Sequence, residues 1–109
     1  MTLAAGRLRN RVVIEAPAHT PDGAAGRRTA WRRVARVAAE VVPLAGNEGL
    51  DDDVVRAVQG LRITIRWRPG IDTKHRLLWN GQPLKINSVV DPDQRRQRLQ
   101  IVCDAGLAT

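Results

Sequence analysis

Residues 61–68, LRITIRWR, alternate apolar and polar side chains without a break. A leucine, two isoleucines and a tryptophan occupy one set of positions, and three arginines and a threonine occupy the other. A period of two residues is the repeat of a β-strand, in which successive side chains point to opposite faces. The segment therefore predicts a strand with one apolar face and one cationic face.

Other segments carry weaker strand signals. Residues 7–15, RLRNRVVIE, place Leu8, Val12 and Ile14 on one face, and Pro17 is expected to end that strand. The dipeptide Asn80-Gly81 is the strongest short signal for a hairpin turn, and strands are expected on both sides of it, at residues 76–79 and about 83–90. In the final segment the alternating apolar residues are Leu99, Ile101 and Cys103.

Residues 30–43, AWRRVARVAAEVVP, are compatible with two structures. As an amphipathic helix the segment would bury Trp31, Val34, Ala35 and Ala38. As a strand it would bury Trp31, Val37, Ala39 and Val41. Alanine favours the helix and β-branched valine favours the strand, so the residues themselves leave both alternatives open.

The remaining segments have the composition of connections. Residues 16–29 and 44–60 are long loops, and residues 105–109 are expected to form a flexible tail. Within the second loop, acidic residues precede a valine-rich stretch, which predicts a short helix from about Leu50 to Gly60. Residues 1–109 are thus expected to form a single, mainly β domain, a small antiparallel β-barrel or sandwich with one short helix or helical loop between the second and third strands.

Composition narrows the class of protein. The formal net charge is +7, 16 of the 18 cationic residues are arginine, and tyrosine and phenylalanine are absent. No apolar run approaches the roughly 20 residues of a membrane span, and residues 7–13 lack the continuous apolar stretch of a signal peptide. The sequence predicts a soluble intracellular protein without membrane contact, whose thin core is anchored on Trp31, Trp67 and Trp79.

Catalytic and metal sites are not expected. Asp51, Asp52 and Asp53 are adjacent, so their carboxylates would diverge on any regular backbone instead of converging on a metal ion. His75 has cationic neighbours on both sides and no partner for nucleophilic catalysis, and Cys103 alternates into an apolar face. The glycine pattern lacks a phosphate-binding motif. We expect a protein that is not an enzyme and that has no cofactor.

Arginines on a predicted strand next to Trp67 raise the alternative of a nucleic-acid-binding barrel. Bases stack on aromatic side chains beside cations in such proteins. Alternation, however, sends Trp67 to the face opposite Arg62, Arg66 and Arg68, and arginines such as Arg32 and Arg33 are scattered along the chain. This distribution fits a subunit interface or a diffuse positive field better than a sequence-reading groove.

Several pieces, taken in order, resemble one known family. They are GRLRNRVVIE, AWRRVARVAAEVVPLAGNE, LRITIRWRPGI, KHRLLWNGQPLKINSVVD and RLQIVCD. Over residues 6–104 the chain is similar to head-tail connector proteins of long-tailed double-stranded DNA phages, the head-closure or stopper proteins also found in prophages and gene transfer agents. The resemblance implies a small β-barrel in which residues 30–42 are a strand.

The resemblance also implies a role in a virion or phage-like particle assembled in the host cytoplasm. Its subunits would form a homo-oligomeric ring, a hexamer or a dodecamer, between the portal or adaptor protein above and a tail terminator or tail-tube protein below. Duplex DNA would pass through the ring, making transient non-specific contact. The connection at residues 44–60 would approach the channel.

Two roles are open for that connection. Gly46, Glu48 and Asp51 to Asp53 line or gate the channel in one hypothesis, because acidic groups near the axis repel DNA. In the other, the segment is a helix packed between neighbours in the ring. Basic residues elsewhere form an interface or a field toward DNA, and they are Arg32, Arg33, Arg62, Arg66 and Arg68.

Overall fold

A computed structural model of the protein describes residues 5–18, 30–44 and 59–105. A short 3-10 turn, Ala5–Arg7, precedes six strands. The strands are β1 Asn10–Ala18, β2 Ala30–Pro43, β3 Gln59–Arg66, β4 Arg76–Trp79, β5 Gln82–Val90 and β6 Arg98–Ala105. Within these residues, no helix has both the length and the apolar character that crossing a membrane requires.

The six strands form a closed antiparallel barrel in the order β1-β2-β3-β6-β5-β4. The first three strands are neighbours in sequence order, and so are the last three, so the barrel consists of two β-meanders. One seam between the meanders, β3 with β6, contains eight residue pairs. The other seam, β1 with β4, contains three pairs, Val13 to Glu15 with Leu78 to Arg76. The predicted mainly β barrel is therefore confirmed.

Alternation along the strands places one set of side chains inside the barrel. In β3, Leu61, Ile63 and Ile65 are buried, as the pattern LRITIRWR predicted. The other strands contribute Val12, Ile14, Ala39, Leu77, Leu84, Ile86, Leu99, Ile101, Cys103 and Ala105. The predicted polar face of β3 differs in one respect: Thr64 is 2% exposed. Its pairing partners on the two neighbouring strands, Glu40 and Gln100, flank it on the outside of the barrel.

The structure resolves the ambiguity of residues 30–43, which form a single strand, β2. Val34, a member of the apolar face of the alternative helix, is one of the exposed large hydrophobic residues. Ala39 is fully buried, and Val37 and Val41 pack against the core. The strand interpretation implied by the family resemblance is thus confirmed.

The expected end of β1 at Pro17 was wrong. β1 continues through Pro17 to Ala18, with Pro17 opposite Trp31 of β2. Pairing with β4 stops at Glu15, so within the described ranges the last residues of β1 have a neighbouring strand on one side only. Proline lacks a backbone N–H and is tolerated at such an edge.

Several predicted features fall on residues outside the described ranges. These include most of the helix expected from Leu50 to Gly60, residues 19–29 of the first loop and residues 106–109 of the tail. Gln59 and Gly60 already belong to β3, and Ala105 ends β6. The expected hairpin is present: Asn80 and Gly81 have φ angles of 55° and 80°, the left-handed backbone that a type I′ turn requires.

β2 extends beyond its partner on one side. It pairs with β1 from Ala30 to Ala39, but with β3 only from Ala39 to Pro43. The register with β1 shifts between Ile14 and Glu15, where β2 contributes the extra residue Val34. Such a bulge bends a strand and increases its twist. Among the described residues, the stretch Ala30–Ala38 therefore has an edge without a neighbouring strand; we call it the β2 edge.

Candidate functional site

One end of the barrel carries a concentration of positive charge. β3 ends there and β6 begins there, so the connections 67–75 and 91–97 lie side by side. Together with the strand ends they supply Arg66, Arg68, Lys74, Arg95, Arg96 and Arg98. We call this region the basic end.

The acidic groups at the basic end are engaged within their own loops. Asp93 Oδ2 accepts a hydrogen bond from Arg98 Nε at 3.1 Å, and Asp91 Oδ2 accepts one from the backbone N–H of Arg96 at 2.9 Å. Asp72 Oδ1 accepts from the backbone N–H of Lys74 at 2.8 Å. This hydrogen bond, followed by the one with His75, lowers the pKa of Asp72. These acids therefore order the loops and leave Arg66 and Arg95 without an ion pair among the described residues.

A cleft of about 250 Å³ opens where β3 separates from β2. It is lined by Val37, Ala38, Arg66, Trp67 and Arg68, and we call it the Trp67 cleft. Arg66 is exposed, whereas the Nε of Arg68 is buried and has no hydrogen-bond partner in the described part of the chain. The cleft thus combines an apolar floor with two guanidinium groups, an arrangement that suits an apolar side chain next to a carboxylate.

The alternation pattern predicted that Trp67 points away from the positive charges of its own segment. A positive charge from another segment nevertheless reaches it. Trp67 packs against the core, but the guanidinium carbon of Arg96 lies over its ring at 5.6 Å from the centroid. Arg96 comes from the loop between β5 and β6, which adopts left-handed backbone at Gln94 and Arg96. Strand periodicity carries no information about such a loop, so sequence reasoning missed Arg96.

Trp31 lies on the outside of the barrel and not in the core, where it was expected. The guanidinium carbon of Arg76 stacks over its ring at 4.4 Å from the centroid. The same guanidinium donates a hydrogen bond from Nε to Glu15 Oε1 at 2.7 Å. Glu15, Trp31 and Arg76 thus link β1, β2 and β4. Trp79, by contrast, packs against the core as expected, and its Nε1 donates to Asn10 Oδ1 at 3.4 Å.

The other predicted basic residues do not converge on one site. Arg62 lies on the outer face of β3, between Val42 of β2 and Val102 of β6. Its Nε is buried and has no hydrogen-bond partner among the residues that the structure describes. Arg32 and Arg33 are exposed on the β2 edge, together with Arg36. Only Arg66 and Arg68, of the predicted set, share the Trp67 cleft.

The predicted channel residues Gly46, Glu48 and Asp51 to Asp53 lie outside the described residues. The two ends of their connection are nevertheless defined. The backbone N–H of Leu44 donates to the carbonyl of Gly60 at 2.9 Å, and Gln59 Nε2 donates to the carbonyl of Leu44 at 3.0 Å. This point is the start of β3, about 26 Å along the strand from the basic end.

Reactive side chains in the described part of the chain are few. Cys103 is fully buried, and burial raises the pKa of its thiol to about 12, so the thiolate that nucleophilic chemistry needs is scarce at neutral pH. His75 Nδ1 lies 3.0 Å from Asp72 Oδ1 in a loop at the basic end. Among the described residues no three potential metal ligands cluster together.

Comparisons with known proteins identify similar chains. A family model described as phage head completion protein matches residues 3–106. One similar solved structure is a chain from the virion of a native gene transfer agent particle, with 25% identity, a TM-score of 0.73 and coverage of 94% of this chain and 98% of that one. Another is the solution structure of a Shigella flexneri 2a protein, with 25% identity, a TM-score of 0.72 and coverage of 98% and 100%. No curated protein matches.

Proposed function

The chain belongs to the phage head completion protein family, and on that premise we propose that it is a structural head-tail joining protein of a tailed phage or phage-like particle. The observation that carries the proposal is the family match over residues 3–106, which spans every described strand. Similarity to a chain of a gene transfer agent virion supports a place in such a particle. The proposed role is mechanical, and it requires no catalytic residue and no cofactor.

In the proposed assembly, copies of the barrel form a ring between the portal or adaptor protein and the tail, a hexamer or alternatively a dodecamer. Closed rings need heterologous contacts, in which each subunit offers two different patches. The described barrel has such an asymmetry, because the basic end lies at one end of β3 and the connection between β2 and β3 leaves at the other. Unequal ends support a head-to-tail arrangement of copies.

DNA would pass through the ring and be retained by it. The positive field of a chain with net charge +7 favours passing, non-specific contact with duplex DNA. For the connection between β2 and β3, two roles remain proposals. Glu48 and Asp51 to Asp53, with Gly46, would either gate the channel by repelling DNA or pack between neighbouring subunits.

Removal of the gene from a particle-producing genome tests the proposed function. We expect DNA-filled heads that neither join tails nor retain their DNA against nuclease, and restoration of both by the wild-type chain. Complementation with Asp51→Ala/Asp52→Ala/Asp53→Ala distinguishes the two roles of the connection: gating predicts that tails join but DNA retention falls, whereas packing between subunits predicts that tails fail to join. Tailed, DNA-retaining particles in the absence of the gene would refute the structural role.

A small nucleic-acid-binding barrel is the second candidate, favoured by the Arg96–Trp67 contact. A salt titration distinguishes the two. The joining protein is expected to bind duplex and single-stranded DNA weakly at physiological salt, because its arginines neutralise few phosphates at once. Tight binding that falls steeply with salt, by about three orders of magnitude between 50 and 200 mM, would instead favour the nucleic-acid module.

A further inference from the structure

The β2 edge is the most extensive unpaired feature of the described barrel. Among the described residues only β1 pairs with β2 along Ala30–Ala38, so about 30 Å of strand has no described neighbour on its other side. A free strand edge exposes backbone N–H and C=O groups that can pair with another chain. Proteins use such edges to bind extended segments, with main-chain hydrogen bonds supplying affinity and adjacent pockets supplying specificity.

A pocket of this kind lies at the base of the edge. The Trp67 cleft is lined by Val37 and Ala38 of β2 and by Arg66, Trp67 and Arg68 of the departing β3 chain. Its volume of about 250 Å³ is small for a drug-sized ligand, and it suits one or two side chains. The edge and the cleft are continuous, since Val37 and Ala38 belong to both.

The positive charge around the β2 edge and the Trp67 cleft indicates which kind of molecule binds there. Arg32, Arg33 and Arg36 are exposed along the edge, and Arg66 and Arg68 are in the cleft. None of them makes an ion pair with another described residue. A DNA backbone accepts hydrogen bonds but offers the edge no matching donors, whereas a peptide offers both donors and acceptors. The edge therefore fits an acidic peptide segment.

We propose that the β2 edge and the Trp67 cleft bind the acidic segment Glu48 to Asp53 of a second copy of this chain. Residues 51–53 form the chain's one run of consecutive acidic residues, and the apolar Leu50 precedes them. Leu44 and Gln59, which bound this connection, lie at the opposite end of β3 from the cleft, so the contact joins two copies head to tail. The inference rests on the proposed ring and names the surfaces that build it.

Disulfide trapping tests the contact. Ala38→Cys, in the cleft, is combined with Asp52→Cys in one chain, and the two single variants are also mixed. Cys103 does not compete, because it is fully buried and its thiol pKa is raised to about 12. Under mild oxidation we expect a ladder of covalent oligomers from the double variant and a heterodimer from the mixture. Lys85→Cys, exposed on β5, replaces Ala38→Cys in the matched control and gives neither.

Charge reversal supplies a second measurement. Arg66→Glu/Arg68→Glu is expected to lower the yield of trapped oligomers about tenfold or more, since one side of each charge pair becomes repulsive. Lys74→Glu/Arg95→Glu makes the same change in net charge at the basic end, outside the cleft, and leaves the yield near that of the parent.

The outcomes separate this inference from the proposed function. An internal disulfide without oligomers, no disulfide in solution or in particles, or capture of a different particle protein or of DNA by the Ala38→Cys variant would overturn the contact. Each of these results is compatible with particles that contain the chain and need it. Loss of the proposed function is measured independently, by particles that are tailed and retain DNA without the gene.

Discussion

Replacing Ile63 with alanine is expected to lower the free energy of unfolding by about 3–5 kcal/mol, a large part of the roughly 5–15 kcal/mol that a small domain has. Ile63 is fully buried at the middle of β3, with Val41 and Ile101 as its neighbours in β2 and β6. Truncation removes buried methyl groups and leaves a cavity that a closed barrel cannot collapse around. Urea unfolding followed by tryptophan fluorescence measures the loss.

Two further variants calibrate this result. Ile63→Val is expected to cost about 0.5–1.5 kcal/mol, because it removes one methylene group. Val90→Ala, on β5, is expected to change the free energy of unfolding by less than about 0.5 kcal/mol, because Val90 is 50% exposed. A loss below about 1 kcal/mol for Ile63→Ala would contradict the close packing of the barrel interior at this position.

The second large effect is expected at Glu15 and Arg76. Glu15→Ala and Arg76→Ala should each lower the free energy of unfolding by about 1–3 kcal/mol, and the double variant by less than their sum. The side chains of Arg76 and Glu15 are 25% and 14% exposed. Each variant therefore leaves the other, partly desolvated charge without its ion-pair partner. Arg76→Ala also loses the stacking on Trp31 and is expected to be the worse of the two.

The pair Arg98 and Asp93 is a matched control for the double-mutant cycle. Its side chains are similarly exposed, 23% and 28%, but they are only five residues apart, with Asp93 in the loop after β5 and Arg98 at the start of β6. Glu15 and Arg76 are 61 residues apart and join the β1–β4 seam. We expect a coupling free energy of about 1–2 kcal/mol for the seam pair and less than about 1 kcal/mol for the loop pair. Equal coupling energies would show that the seam position confers no extra stability.

Strand periodicity predicted the structure best where a strand has a neighbouring strand on each side. β3 pairs with β6 along its whole length and with β2 from Leu61 to Ile65, so one face is uniformly buried there and the alternation in LRITIRWR is complete. β2 was ambiguous because it changes partner along its length. Within the described residues β1 pairs with Ala30–Ala39 and β3 with Ala39–Pro43, so only Ala39 has a partner strand on both sides. Along the β2 edge, arginines and Val34 are exposed, and no single burial pattern constrains the sequence there. Proline in β1 was misleading for a similar reason, since Pro17 lies where β1 has one neighbouring strand among the described residues.

The candidate surface was predictable only in part. Arg66, Trp67 and Arg68 are consecutive, and the sequence pattern indicated all three. Their assembly with Val37 and Ala38 depends on the register between β2 and β3, and the placement of Arg96 depends on a loop with left-handed backbone. The contact of Arg76 with Glu15 and Trp31 joins three strands. Such arrangements follow from the closure of the barrel and leave no local signal in the sequence.

The unequal seams between the two meanders divide the barrel into regions of different local stability. Eight residue pairs join β3 to β6, whereas three join β1 to β4. Local opening of a protein costs least where few backbone hydrogen bonds and few buried contacts must be broken. The β1–β4 seam can therefore separate while each meander keeps its own hydrogen bonds, which would convert the closed barrel into a curved open sheet. The ion pair between Glu15 and Arg76 lies at the rim of that seam, where it opposes this opening.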